Sequence, residues 1–208
     1  MPCVAQKTGT MSEMNAVGVL KTISTMLLAP LRVRRARHVP PAGAQHYEPT
    51  PLAATLAEAT TMAADVPKGA SSGTTSDGWV PPVLTGCDEP LVDGAPDLRG
   101  VWQVHRGPLK GHIERIEQAG NRVTITVGAL VHDMFVDGTL EGGVNDTAEG
   151  SGVPISVAAR FEDGRHNLYP GDRGIVAVTR YRDGDEMVWR WGPWRNRLRR
   201  LRGPDDAA

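Results

Sequence analysis

Between residues 97 and 202 the chain alternates short β-prone runs with turn signals every 8–12 residues, a rhythm that points to an all-β, antiparallel fold. Asp137-Gly138, Asp163-Gly164 and Asp183-Gly184 each separate two such runs, and Ala119-Gly120-Asn121 is a fourth signal of the same kind. Asp-Gly tolerates the positive φ angles that a tight hairpin needs. Strands are expected over residues 100–106, 112–118, 122–127, 130–136, 139–144, 153–161, 165–169, 174–181, 186–191 and 194–201. Successive hairpins pair neighbours along the chain, so the expected fold class is all-β, an antiparallel up-and-down meander of about 8–10 strands. A long open meander leaves two bare edges, and closure into a barrel removes them.

Alternation within the runs separates an inner from an outer face. Val123, Ile125 and Val127 alternate with Thr124 and Thr126, and Ile155, Val157, Ala159 and Phe161 alternate with Ser156, Ala158 and Arg160. Met187, Trp189 and Trp191 alternate with Val188 and Arg190. Such a pattern marks one buried and one wet face. Two runs leave their parity open. Ile113 and Ile116 fall on opposite faces, and Leu130/Met134 compete with Val131/Phe135.

Leu98-Arg99-Gly100-Val101-Trp102 opens the meander with a G-x-W, and in this the domain resembles the lipocalin-like (calycin) β-barrels. The resemblance implies a closed barrel in which Trp102 plugs one end and a basic residue of a late strand packs over it. Arg195, Arg197 and Arg199 are the candidates, with Arg197 taken as the structural partner.

The chain before residue 98 is different material. It holds 11 of the 16 prolines and both cysteines, whereas four of the five tryptophans lie beyond it. Residues 1–97 are read as a largely disordered leader and linker, 98–202 as the barrel domain and 203–208 as a disordered tail. Two short helices are expected in the leader. One covers residues 12–28, where Met14, Val17, Leu20, Ile23 and Leu27 recur at helical spacing before Pro30. The other covers residues 51–65, with Thr50 as N-cap, Pro51 in the first position and Leu52, Leu56, Ala59 and Ala63 on one face. Residues 67–77 have the composition of a flexible linker. Residues 79–84 are apolar enough to lie as an extended strap across the domain that follows.

The 23 basic and 24 acidic residues nearly cancel, which argues against a dedicated nucleic-acid binder. The longest apolar stretch, residues 17–31, is broken by Lys21, Thr22, Ser24, Thr25 and Pro30, so no transmembrane helix is expected. Membrane contact is expected only through residues 12–37, where Arg32, Arg34, Arg35 and Arg37 follow the weak helix, or through the C-terminal arginines. Cys3 and Cys87 belong to no C-x-x-C or Cys/His cluster, the usage of a reduced, cytoplasmic chain.

Four of the six histidines lie in the domain: His105, His112, His132 and His166. No pair has the spacing that aims two imidazoles at one ion, so no metal site is expected, and the cofactor is left unknown. With Leu130 and Met134 turned inward, His132 lines the cavity as a general acid or base, Asp133 points out and Asp137 sits at the rim. His132, His112 and Asp133 are the catalytic candidates. Residues 142–152 read as a glycine-rich connection at the barrel mouth. The final WRWGPWRNRLRRLR carries six arginines between Arg190 and Arg202, expected to pair with Asp183, Asp185 and Glu186 on an outer face.

No nucleophile elbow, metal box or phosphate loop occurs in the chain. The leading expectation is a binding module that holds an apolar or amphipathic small molecule between Val123, Ile125, Ile155, Val157, Phe161, Met187 and Trp189. An enzyme of the isomerase, dehydratase or cyclase type, using a cavity histidine with carboxylate help, ranks below it. So does an interaction domain that uses the arginine-rich last strand to meet an anionic partner.

Overall fold

A computed structural model of the 208-residue chain describes residues 47–71, 79–147, 154–171 and 174–201. The helix expected over residues 12–28 and the tail at 203–208 lie outside them. Ten strands form: β1 (Gly100–Arg106), β2 (Ile113–Ala119), β3 (Arg122–Val127), β4 (Leu130–Phe135), β5 (Val144–Thr147), β6 (Pro154–Glu162), β7 (Arg165–Pro170), β8 (Val178–Asp183), β9 (Glu186–Trp191) and β10 (Trp194–Leu201). They make one antiparallel sheet in the order β4-β3-β2-β1-β10-β9-β8-β7-β6-β5. The first and last strands are neighbours, with Trp102 opposite Arg200 and Val104 opposite Leu198. The meander thus joins its two ends into a nearly closed barrel, as the turn rhythm predicts.

The break in the ladder falls between β4 and β5, where the sequence predicts a hairpin at Asp137-Gly138. Here Asp137 Oδ1 accepts hydrogen bonds from the N–H and the hydroxyl of Thr139, both 2.8 Å, and Thr139 Oγ1 accepts one from the Gly142 N–H at 2.9 Å. The Gly138 N–H donates to the Ala159 carbonyl of β6 at 2.9 Å. Side-chain capping holds 137–142 as a turn that carries the chain across to β6. For that reason the strand expected at 139–144 starts only at Val144, and the expected mouth loop contains β5. The other three signals do join paired strands, β2 to β3, β6 to β7 and β8 to β9. At the second of these Asp163 adopts a φ of 51°, in the left-handed region that a tight hairpin demands.

The outer wall of β1 to β4 is covered by a second layer of chain. Tyr47 and Trp79 pack on Val101, Ile113 and Leu201, while Ala63, Val66, Val83, Leu84 and Cys87 pack around Ala119. The strap expected over 79–84 is therefore present. The helix expected over 51–65 is not; two 3-10 turns, Leu56–Glu58 and Ala63–Asp65, stand in its place. The N–H groups that an α-helix would turn toward i−4 carbonyls are used elsewhere. Thr60 and Thr61 donate to the Asp88 carboxylate at 2.9 Å, Ala53 donates to the Asp88 carbonyl at 2.7 Å and Ala63 donates to Glu89 Oε2 at 3.0 Å. Thr50, the expected cap, accepts instead from the Gly86 N–H at 3.1 Å. An alanine-lined helix face gains little from burial, and Asp88 and Glu89 offer the Thr60, Thr61 and Ala63 donors charged acceptors.

Inside the barrel, Leu98, Trp102, Ile116, Val123, Ile125, Met134, Val157, Ala159, Met187, Trp189 and Leu198 belong to one apolar cluster. Cys87 is a buried thiol whose pKa is pushed up by burial, so it is a poor nucleophile. Among the described residues no helix is long and apolar enough to cross a membrane.

Candidate ligand site inside the barrel

Strand register decides which side chains meet inside. Phe161 of β6 lies opposite His166 of β7, His166 opposite Arg180 of β8, Arg180 opposite Trp189 of β9 and Trp189 opposite Asn196 of β10. Directly opposed residues share a face, so these five side chains form one transverse row on the inner wall. Adjoining it are Leu168, Val178, Trp191 and Trp194 on one side and Arg182, Met187 and Leu198 on the other. The row is polar although the cluster around it is apolar.

Glu114 completes the row from the opposite wall. Its carboxylate takes a bidentate grip from Arg180, with Nε and Nη2 each at 3.0 Å. The His112 ring stands 3.9 Å from the same carboxylate and 5.2 Å, centroid to centroid, from the Trp189 ring. Burial alone raises the Glu114 carboxyl, but the Arg180 charge and its hydrogen bonds, together with His112, reverse this and hold it well below the usual carboxylate range. The His166 imidazole has no solvent exposure. Burial, with the Arg180 cation alongside, drives its pKa down to about 3, so the ring is neutral at physiological pH.

Several polar atoms of this region are buried with no hydrogen-bond partner among the described residues. They are both ring nitrogens of His166, the indole N–H groups of Trp189, Trp191 and Trp194, and the Asn196 amide nitrogen. Asn196 Oδ1 is satisfied by the Leu109 N–H at 3.0 Å. Native interiors leave few such groups, because each one unmatched costs about 1–3 kcal/mol. They are concentrated on the inner wall of β7, β9 and β10.

The seven residues expected to line a ligand, Val123, Ile125, Ile155, Val157, Phe161, Met187 and Trp189, all belong to this apolar interior or pack against it. Trp102 is fully buried, directly opposite Glu114, and its indole N–H donates to the Leu98 carbonyl at 2.7 Å. Its arginine partners are Arg200 of β10 and Arg182 of β8, whose guanidinium carbons lie 5.5 and 4.9 Å from the ring centroid. Gly100 makes room for this arrangement, since a Cβ there would lie 2.5 Å from Arg200 Nε. Arg197 is a correction: it lies on the outer face, paired with Glu186 and, at 2.8 Å, with Asp183. The register of β10 turns Asn196, Leu198 and Arg200 inward, so Arg195, Arg197 and Arg199 must point out.

The catalytic candidates go to separate environments. His132 faces inward opposite Ile125 and bonds through Nδ1 to Asp146 Oδ2 of β5 at 2.7 Å, bridging the seam where the backbone ladder is broken. Asp133, its chain neighbour, faces out and is taken up by Arg122 at 2.9 and 2.6 Å. Asp137 caps its own turn. His112, the residue just before β2, sits four positions from Ile116, the residue that shares the Ile125 register with His132. Among the described residues no group of three or more His, Cys, Asp or Glu side chains is arranged to hold a metal ion.

Sequence reasoning missed Glu114, His166, Arg180 and Asn196 as interior residues. A polar residue in a strand reads as solvent-facing unless its apolar neighbours fix the parity. In β8 only Val178 gives that signal, against inward Arg180 and Arg182. No protein-family model matches the chain, and no curated protein matches it in sequence.

Proposed function

We propose that the barrel is a binding module for a small amphipathic molecule, of the lipocalin-like kind that the G-x-W opening resembles. The observation that carries this reading is the polar row Phe161–His166–Arg180–Trp189–Asn196, buried in an apolar interior with partners lacking for His166, Trp189 and Asn196. Barrel diameter grows with strand number. Eight strands enclose an interior that side chains just fill or that holds one small ligand, so ten leave more room. Apolar walls would supply affinity through burial, and the few polar groups would fix orientation.

The test is a titration of the full chain with diphenylhexatriene, an apolar dye that fluoresces when sheltered from water. One saturable site is expected, lost in Ala159→Trp, which crowds a fully buried inner position. Absence of saturable binding, together with a bare mass for the protein isolated from cells, would retire the reading.

A second reading, an enzyme, draws on the His132–Asp146 pair, since a carboxylate on Nδ1 orients a histidine for general base chemistry at Nε2. It predicts a turnover that vanishes in His132→Ala. Retention of activity in that variant would remove His132 from the chemistry.

A further inference from the structure

The unmatched atoms on the inner wall are not a random set of polar groups. Four are N–H donors, those of Trp189, Trp191, Trp194 and Asn196. A neutral His166 adds one more donor and a single acceptor lone pair. The site is therefore rich in donors and poor in acceptors, and what completes it must bring acceptor atoms. Of the inward carboxylates, Glu114 is already held by Arg180, and Asp146 is bonded to His132 at the seam, where its Oδ1 is the one unmatched carboxylate oxygen among the described buried atoms.

Charge narrows the choice. Glu114 and Arg180 neutralise each other, and the remaining members of the row carry no charge. Arg182 and Arg200 lie over the Trp102 ring, and both donate to main-chain carbonyls, those of Gly184 and Arg99. An anion seated on the row would be buried beside an ion pair already balanced, which is costly. An uncharged acceptor escapes that cost.

Shape narrows it further. Trp189 and Trp191 are stacked with an interplanar angle of 19° and centroids 5.9 Å apart, and His112 tilts against Trp189 from across the barrel. Rings disposed in this way favour offset stacking with another flat ring.

Resting on the reading of the barrel as a binding module, we infer that its ligand is an uncharged, flat conjugated molecule bearing carbonyl oxygens, of the quinone or chromone type. Its ring lies along Trp189 and Trp191, and its oxygens accept from the Trp194 indole N–H, Asn196 and His166.

The experiment is equilibrium dialysis of the full chain against three molecules that share one ring system: 2,3-dimethyl-1,4-naphthoquinone, 2,3-dimethylnaphthalene and 2-naphthoate. The methyl groups block addition of protein thiols to the quinone. The quinone is expected to bind about tenfold more tightly than the hydrocarbon, the gain of one or two neutral hydrogen bonds, with naphthoate weaker than the quinone. In Asn196→Leu and in Trp194→Phe the quinone should lose that advantage while the hydrocarbon keeps its affinity, which also reports that the variants are folded. Equal affinity for quinone and hydrocarbon, or tighter binding of naphthoate, overturns the inference and leaves the binding module standing. Failure of all three to bind, with diphenylhexatriene also excluded, overturns the binding module itself.

Discussion

Two sets of buried polar side chains lie on opposite faces of this sheet, and they are treated in opposite ways. Beneath the strap, on the outer face of β2 to β4, nearly every polar group is matched. Arg122 gives five hydrogen bonds, two to Asp133 and three to the carbonyls of Ala63, Val66 and Pro67. Arg115 bonds Glu117 at 3.0 Å and the Val80 carbonyl at 2.6 Å, and Glu117 accepts from the Leu84 N–H at 2.8 Å. Only the Thr124 hydroxyl is left over among the buried side-chain atoms described there. On the inner face of β7 to β10, by contrast, the Glu114–Arg180 pair is complete and the groups around it are not. The first region is a finished internal joint between two parts of one chain. In the second, buried N–H donors outnumber the acceptors that the described residues give them.

The sharpest way to break the comparison is to remove the centre of the finished joint. Arg122→Leu leaves Asp133 buried without its cation, and the expected loss is about 3–5 kcal/mol in urea unfolding, with residues 47–71 becoming sensitive to protease. A loss below about 1 kcal/mol would mean that residues 63–67 are not held by this guanidinium.

The unfinished region should respond in the other direction. His166→Leu removes two unmatched nitrogens, so stability at pH 7 is expected to stay level or rise by about 1 kcal/mol. The same variant separates the two regions by pH. The folded-state pKa of His166, about 3, lies below the ordinary 6.5, so between those values the unfolded chain binds the proton and the folded chain does not. The wild type therefore loses stability as pH falls through this window, by up to about 1.4 kcal/mol per pH unit from this group alone. His166→Leu should flatten that acid limb, and an unchanged limb at pH 4.5 would show that the ring is not held neutral.

Smaller effects belong to the seam and the outer wall. The His132–Asp146 pair is partly exposed, and His132→Asn is expected to cost no more than about 1 kcal/mol while speeding hydrogen exchange in β4 and β5. On the outer face Arg190 and Arg195 lie directly opposite each other, a like-charge pair, so Arg195→Glu should stabilise by about 0.5 kcal/mol. A larger gain would make the arginine face a stored repulsion, and with it a stronger candidate for an anionic partner.

Legibility of the sequence followed the same division. In β3, β6 and β9 one face is apolar and the other polar, and the inward residues Val123, Val157 and Met187 could be read directly. In β2 they could not, because the strap buries the outer face as completely as the core buries the inner one. Ile113 packs on Trp79 outside and Ile116 on the core inside, so the apparent conflict of parity is simply two buried faces. The interior site was illegible for a different reason. Glu114, His166 and Asn196 each have an inward apolar neighbour two residues away, Ile116, Leu168 and Leu198, but Arg180 has only Val178, and which of these polar groups meet is set by register between strands.

By itself the sequence determined what is short-ranged: nine of the ten strands, three tight turns that join paired strands, and an apolar segment at 79–84 that lies down as a strap. These depend on residues a few positions apart, through φ preference and two-residue periodicity. Tertiary structure decided the rest. It placed the seam at β4 and β5, chose Arg200 and Arg182 over Arg197 for the Trp102 ring, and set His166, Arg180, Trp189 and Asn196 in one row. Each of those outcomes depends on register between strands, and β1 meets β10 across about a hundred residues of chain, where no local preference reaches.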